Sequence, residues 1–291
     1  MLKGVAINTV ASTLSETGTT FSSDEDLELV RDAVPFALKL YESILESAPK
    51  HQDLLRATCS GFTQYAYAFV QADAELLPAV EFEQSQAKKD RALKLFLRGR
   101  GYCLRAMELR KPGITSALQM DPDKALGWAK SKDVPLLYWT GASWGSAISI
   151  GLDKPELVAD SAAVKALIQR ALVLDEDYEN GALHAVMISL ESVPEAMGGS
   201  KDRARKHFAR AVELSKGLDP SPYVTFAASV SVATKNKAEF VKLLETALAI
   251  DPNEQPATRL ATLVAQQRAR NLLARVDELF PDAAFPISWS W

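Results

Sequence analysis

Apolar side chains recur at intervals of three and four along most of this chain, from Leu27 to Phe280. That spacing predicts amphipathic α-helices, and the period-two alternation that strands need is scarce. The first long helix is announced by Ser22-Ser23-Asp24-Glu25-Asp26, which places capping side chains and acids at the positive end of the helix dipole. Its apolar positions continue to Ala48, where Pro49 stops it. Pro35 lies early enough to kink only the first turns.

The same stripe returns. Around Ala247, apolar residues stand at Phe240, Leu244, Leu248 and Ile250, followed by Asp251-Pro252. Equivalent frames centre on Ala211 (Ala204, Phe208, Val212, Leu214), Ala171 (Val164, Ile168, Leu172, Leu174), Ala106 (Gly99, Cys103, Met107, Leu109) and Ile44 (Ala37, Tyr41, Leu45). The centres lie 62, 65, 40 and 36 residues apart in chain order. The last two spacings approach the ~34 residues of a tetratricopeptide repeat, and the first two call for elongated or inserted helices. Partner helices are expected at residues 54–77, 135–150, 179–191 and 222–234. The predicted fold is all-α, a tetratricopeptide-like solenoid of helical hairpins. A long N-terminal helix caps it at residues 27–48, and a C-terminal helix caps it at 257–280. The expected organisation is a flexible segment at 1–22 with its signal region trimmed, a single domain at 23–280 and a tail at 281–291.

Composition narrows the function. A formal net charge of −4 and a pI near 5.6 leave no basic stripe to neutralise phosphates, so nucleic acid is not an expected partner. No apolar run approaches the ~18 residues of a membrane span. Residues 1–20 are polar and rich in Ser and Thr, without the charged-then-apolar order of an export signal. His51, His184 and His207 show no metal-ligand spacing, and no nucleophile elbow or phosphate loop appears. No catalytic residue, metal or cofactor is therefore expected. Cys59 and Cys103 read as two buried small apolar residues; a disulfide between them is the alternative, which sequence cannot decide.

Three regions are candidates for ligand contact. Phe62, Tyr65 and Phe69 fall on one face of a helix, with Tyr67 pointing elsewhere. Tyr138, Trp139 and Trp144 surround Gly141 and Gly145, two glycines that a helix tolerates where a neighbour approaches closely. Met197-Gly198-Gly199-Ser200 is a Gly-rich turn, either a plain connection capped by Ser200 or a ligand-lining loop. The aromatic stripes are core on one reading and the wall of a groove or pore on the other. Trp289 and Trp291 close the chain.

These runs resemble a known family. Ser23 to Glu42, Phe62-Thr63-Gln64-Tyr65-Ala66, Tyr138-Trp139 with Gly141 and Trp144-Gly145, and Met197-Gly198-Gly199-Ser200 followed by Arg203-Ala204 and His207-Phe208 are similar to the TatT family. These are tetratricopeptide-like components of TRAP transporters. The resemblance implies a periplasmic, lipid-anchored homotrimer that is not an enzyme. It would dock the periplasmic solute-binding protein of a TRAP transporter and pass a small apolar or amphipathic solute through an internal channel. Phe62, Tyr65, Phe69, Tyr138, Trp139, Trp144, Met197, Gly198 and Gly199 would line that channel. A general adaptor that binds a peptide segment, with no solute, is the other reading.

Overall fold

Asp26 opens the first long helix as the acidic run predicts. Its carboxylate accepts hydrogen bonds from the backbone N–H groups of Glu28 and Leu29, donors that a helix leaves orphaned at its start. That helix, α1 (Leu27–Ser47), runs through Pro35. The structure, a computed structural model, describes residues 18–281. Trp289 and Trp291, and most of the expected N-terminal segment, lie outside the described residues. Gly18–Ser22 form a short helix ahead of α1, and among the described residues all regular structure is helical.

The chain divides into two compact units, the first ending at Glu179 and the second beginning at Asn180. In the first, α2 (Gln52–Tyr65) continues through a π-helical turn, Ala66–Gln71, into Ala72–Leu76. The 29-residue α3 (Phe82–Arg110) returns antiparallel to it. Ser85 Oγ donates to the Ala74 carbonyl at one end, Ala92 and Phe96 pack on Ala66 and Val70 midway, and Arg105 donates to the Pro49 carbonyl at the other. A disulfide joins Cys59 of α2 to Cys103 of α3. Both cysteines are fully buried, as expected of small apolar residues, but they are bonded to each other.

Next come the short α4 (Ile114–Met120) and then α5 (Val134–Ile150), antiparallel to α3. Arg110 pairs with Asp133, Thr140 lies 3.4 Å from the Met107 sulfur, and Ala147 packs with Leu93. Finally α6 (Ser161–Leu174) lies along α5. A Cβ on Gly141 would stand 2.6 Å from Ile168 Cδ1, and one on Gly145 would stand 3.2 Å from Val164 Cγ1. The close approach expected from the two glycines is real, and α6 is the neighbour that makes it.

The second unit repeats the up-and-down order with shorter helices: α7 (Ala182–Glu191), α8 (Lys201–Leu214), α9 (Ser221–Phe226), α10 (Lys237–Ala249), α11 (Arg259–Ala274) and α12 (Val276–Leu279). Like α2, α9 runs on into a π-helical turn, Ala227–Ser231. Phe240, Leu244 and Ala247 are fully buried, and Phe280 stacks edge-on against Phe240 with centroids 5.0 Å apart. The repeat frames centred on Ala106, Ala171 and Ala247 fall on the buried seam at their first three positions, whereas Ala37, Tyr41 and Ile44 of the first frame are only half-buried. Val164, Ile168 and Ala171 in α6, and Cys103, Ala106 and Met107 in α3, are also sealed from solvent.

Two boundaries differ from expectation. The helix expected from residue 179 starts at Ala182, because Glu179, Asn180 and Gly181 all take positive φ (48°, 53° and 98°). That left-handed conformation breaks a right-handed helix. The terminal helix expected over 257–280 is interrupted at Arg275, whose φ and ψ of −107° and 15° leave the helical range.

Candidate functional site

Phe62 of α2 and Phe69 of the π-helical turn after it are each drawn into a charged setting. Phe62 is buried and stacks parallel to Tyr102 of α3 at 6.0 Å, while the Arg98 guanidinium lies 5.1 Å from the Phe62 ring centre. Arg98 is held there by Glu42 of α1, whose carboxylate accepts from Arg98 Nε and Nη2, Tyr102 Oη and Lys39 Nζ at 2.5–2.7 Å. Burial pushes the Glu42 carboxyl up, yet these donors outweigh it and hold it below the usual carboxylate range. Burial and the facing Glu42 both raise the Tyr102 hydroxyl.

Tyr65 is half-buried and tilts against Phe69 at 5.7 Å. Phe69 lies within the π-helical turn, whose i to i+5 bonding takes about one residue more per turn than α-helical spacing assumes. Phe69 is buried under Arg31, which is held by a two-pronged pair with Asp73 at 2.9 and 3.1 Å. Tyr67, expected to point away from that face, is exposed.

On α5, Tyr138 and Trp139 are half-buried and touch edge-on at 4.9 Å, and Tyr178 completes a three-ring cluster 5.3 Å from Tyr138. Burial pushes the Tyr178 hydroxyl well above its usual range, with Glu179 adding to the effect. Trp144 is 1% exposed, and Arg100 covers its ring at 5.0 Å. The structure thus brings Tyr65 to Phe69 and Tyr138 to Trp139. Phe62 and Trp144 are sealed against Tyr102, Arg98 and Arg100 instead. The arginines over the rings were not singled out in the sequence. On α3, the signal was a basic residue recurring beside the apolar seam, at Arg98 and Arg100.

In the second unit, the Gly-rich turn is built from inside. Glu191, 1% exposed, pairs with Arg203, and Arg203 Nη2 also donates to the Gly198 carbonyl at 2.7 Å. Ser200 N donates to the Glu191 carbonyl, and Ser200 Oγ accepts from Arg203 N, the cap expected of that serine. A Cβ at Gly199 would fall 1.8 Å from the Val193 carbonyl oxygen, so no other residue fits this turn. Met197 stands outside it, more than half exposed. His184 of α7 and His207 of α8 meet through their Nδ1 atoms at 2.8 Å.

A family model for the TRAP transporter T-component matches residues 23–280. The chain belongs to that family. It is also 34% identical over 270 residues to an uncharacterized protein of Treponema pallidum (strain Nichols), a match that covers 90% of this chain and 83% of the relative. The family is a component of a transport system.

Two surface clefts of this T-component lie in its first unit. One, of about 290 Å³, is lined by Pro49, Gly101, Leu104, Arg105, Glu108, Leu109 and Thr115. The other, of about 240 Å³, lies around Ile114 and Trp128. Neither is lined by any of the nine residues expected at a channel. Among the described residues, no cluster of three or more His, Cys, Asp or Glu side chains is placed to hold a metal ion. No described helix is long and apolar enough to cross a membrane.

Proposed function

We propose that this protein is a periplasmic, lipid-anchored accessory scaffold of a TRAP-type solute uptake system. In this reading it is a homotrimer that docks the solute-binding protein and passes a small, partly apolar solute through an internal channel. The family match over residues 23–280 carries the proposal. The disulfide supports the compartment, because such bonds persist where the medium is oxidising. The antiparallel succession of helices in each unit supports tetratricopeptide-like hairpins with α1 and the α11–α12 pair as caps. A surface for a protein partner is offered by α1, where Leu29, Phe36 and Leu40 are exposed, Phe36 by 75%. Their spacing of seven and four residues places them on one helix face. Half-buried Tyr65, Tyr138 and Trp139 are the rings best placed to become channel wall, together with Phe62, Phe69, Trp144 and the Met197-Gly198-Gly199 turn of the sequence reading.

The test is light scattering coupled to gel filtration, on the protein alone and mixed with the solute-binding subunit of its own transporter. A trimer that shifts to a larger complex is expected, with Phe36→Glu abolishing the shift. A monomer that ignores the subunit overturns the transport reading. If Phe36→Glu dissolves the trimer instead, the α1 face belongs between copies of this chain.

A further inference from the structure

Two imidazoles clasp α7 to α8. His184 is buried, His207 is half-buried, and their Nδ1 atoms stand 2.8 Å apart with ring centres at 5.0 Å. A contact of that length between ring nitrogens is a hydrogen bond, so one Nδ1 carries a proton and the other does not. Two neutral rings satisfy this. So does a pair that has taken up one proton more, the imidazolium then donating to the bare nitrogen of its neighbour. A second added proton puts N–H groups on both sides of the contact and sets two cations against each other. The closed pair therefore holds at most one added proton. Rings parted into water hold two below the ordinary imidazole value of about 6.5.

The surroundings oppose the second proton. On α8, Lys206 precedes His207, Arg210 stands one turn on, and Arg203 and Arg205 lie on the turn before; like charge and burial both disfavour a further cation. The acids nearby are engaged: Glu191 of α7 by Arg203, Glu213 by Arg210 and Glu239 of α10 by Arg205. Helix α9 packs against both α7 and α8 without a charged side chain. Its titratable Tyr223 lies against Phe208, and Asp219 ahead of it accepts from Ser221 N. The clasp holds shut the end away from the connecting turn. There Gly181 sits so close to α8 that a Cβ on it would stand 3.2 Å from Leu214 Cβ and 3.3 Å from Ala211 Cα. At the turn itself, the Glu191–Arg203 pair and the bond from Ser200 N to the Glu191 carbonyl do not depend on imidazole charge.

We propose that the His184–His207 pair is a proton-operated clasp. Closed with at most one added proton, it opens on the second and parts the start of α7 from the C-terminal half of α8, hinged at the Gly198-Gly199 turn. Once the parted rings are both charged, each further pH unit of acidification favours the open form about tenfold, because that form holds one proton more. The clasp lies within the second unit and works in the isolated chain. Its test therefore succeeds or fails independently of the uptake reading.

The experiment follows amide exchange by NMR in the ¹⁵N-labelled full-length chain between pH 7.5 and pH 5.0, each rate divided by its unstructured value at that pH. Protection at residues 183–189 of α7 and 211–214 of α8 is expected to fall about tenfold across this range. Helices α10 and α11, which carry no histidine, should keep theirs. His207→Asn leaves a neutral hydrogen-bonding group opposite His184 and removes the competition for protons, so the fall should shrink to about threefold or less. The imidazole titrations of the unaltered chain give a second readout that needs no variant. There the pair is expected to take up its two protons in steps more than about one pH unit apart. Protection in α7 and α8 that ignores pH, an undiminished fall in the variant, or two rings that titrate together as independent groups overturns the proposal.

Discussion

In the first unit, neighbouring helices are fixed by features that leave little freedom. A disulfide ties the middle of α2 to α3, glycines let α6 press against the backbone of α5, and guanidinium groups lie over Phe62, Phe69 and Trp144. The second unit has no cysteine. Its α7–α8 pair is joined by the His184–His207 contact and the Glu191–Arg203 pair, and its core is a run of aromatic contacts. Phe208 touches Tyr223 and Phe226, and Phe240 touches Phe280. Yet both units place a π-helical turn in a helix that leads a pair, at Ala66–Gln71 and Ala227–Ser231. The shared turn belongs to the common helical plan, and Arg205 lies over Phe226 in the second unit as well, while the disulfide is particular to the first. A unit without a covalent tie is the one whose stability follows its largest side chains.

That contrast can be broken most sharply at Phe240. Its ring is fully buried, and Phe240→Ala is expected to cost about 3–5 kcal/mol by lost burial plus the cavity left behind. Hydrogen exchange read along the chain should then show α10 and α11 losing protection while α2 and α3 keep theirs. Equal loss in both units would mean that the second does not answer for its own stability. The reverse experiment removes the staple. Cys59→Ala with Cys103→Ala opens a loop whose ends are 44 residues apart, and the chain-entropy argument puts the cost at about 3–4 kcal/mol. Denaturant-dependent exchange should place that loss in α2 and α3. A change below about 1 kcal/mol would show that the helical packing alone fixes this pair.

Much of the fold was legible because helix seams repeat. The frame around Ala171 and Ala247 marked positions that the structure seals, and Asp26 and Ser200 were recognisable as caps. Gly141 and Gly145 announced a close neighbour without naming it, since a pattern within one helix does not say which partner presses on it. The disulfide was undecidable for the same reason. Cys59 and Cys103 look like any buried small residues until α2 and α3 are known to run antiparallel in this register. The candidate site was less legible. Spacing placed Phe62, Tyr65 and Phe69 on one α-helical face, but the π-helical turn shifts the register beyond Tyr65. Arginine lids over rings depend on contacts between helices, which periodicity does not encode.

Smaller substitutions sharpen the comparison within the first unit. Gly141→Ala puts a methyl 2.6 Å from Ile168 Cδ1, and forced repacking of this kind costs about 1–3 kcal/mol. Combining it with Ile168→Val, which trims the clashing methyl, should recover part of the loss; additive destabilisation in a double-mutant cycle would remove the close approach as the cause.

The smallest expected effect concerns the Glu42 cluster, and it separates the two units by pH. Glu42 is held below its ordinary range in the folded chain by Lys39, Tyr102 and Arg98. Its contribution to stability is therefore complete above the unfolded carboxylate value of about 4.3 and is lost as pH falls through the lower folded value. Glu239 of the second unit is depressed in the same sense, burial opposing and the donors Arg205 and Ser231 prevailing. Glu42→Gln should cost on the order of 1 kcal/mol near neutral pH, because Arg98 is half-exposed and water can replace its partner. It should also flatten the acid dependence of protection in α1 and α3 while α10 keeps its own. If the acid dependence of α1 and α3 survives the substitution, the carboxylate that titrates there is not Glu42, and the cluster over Phe62 is a fixture of packing rather than of charge.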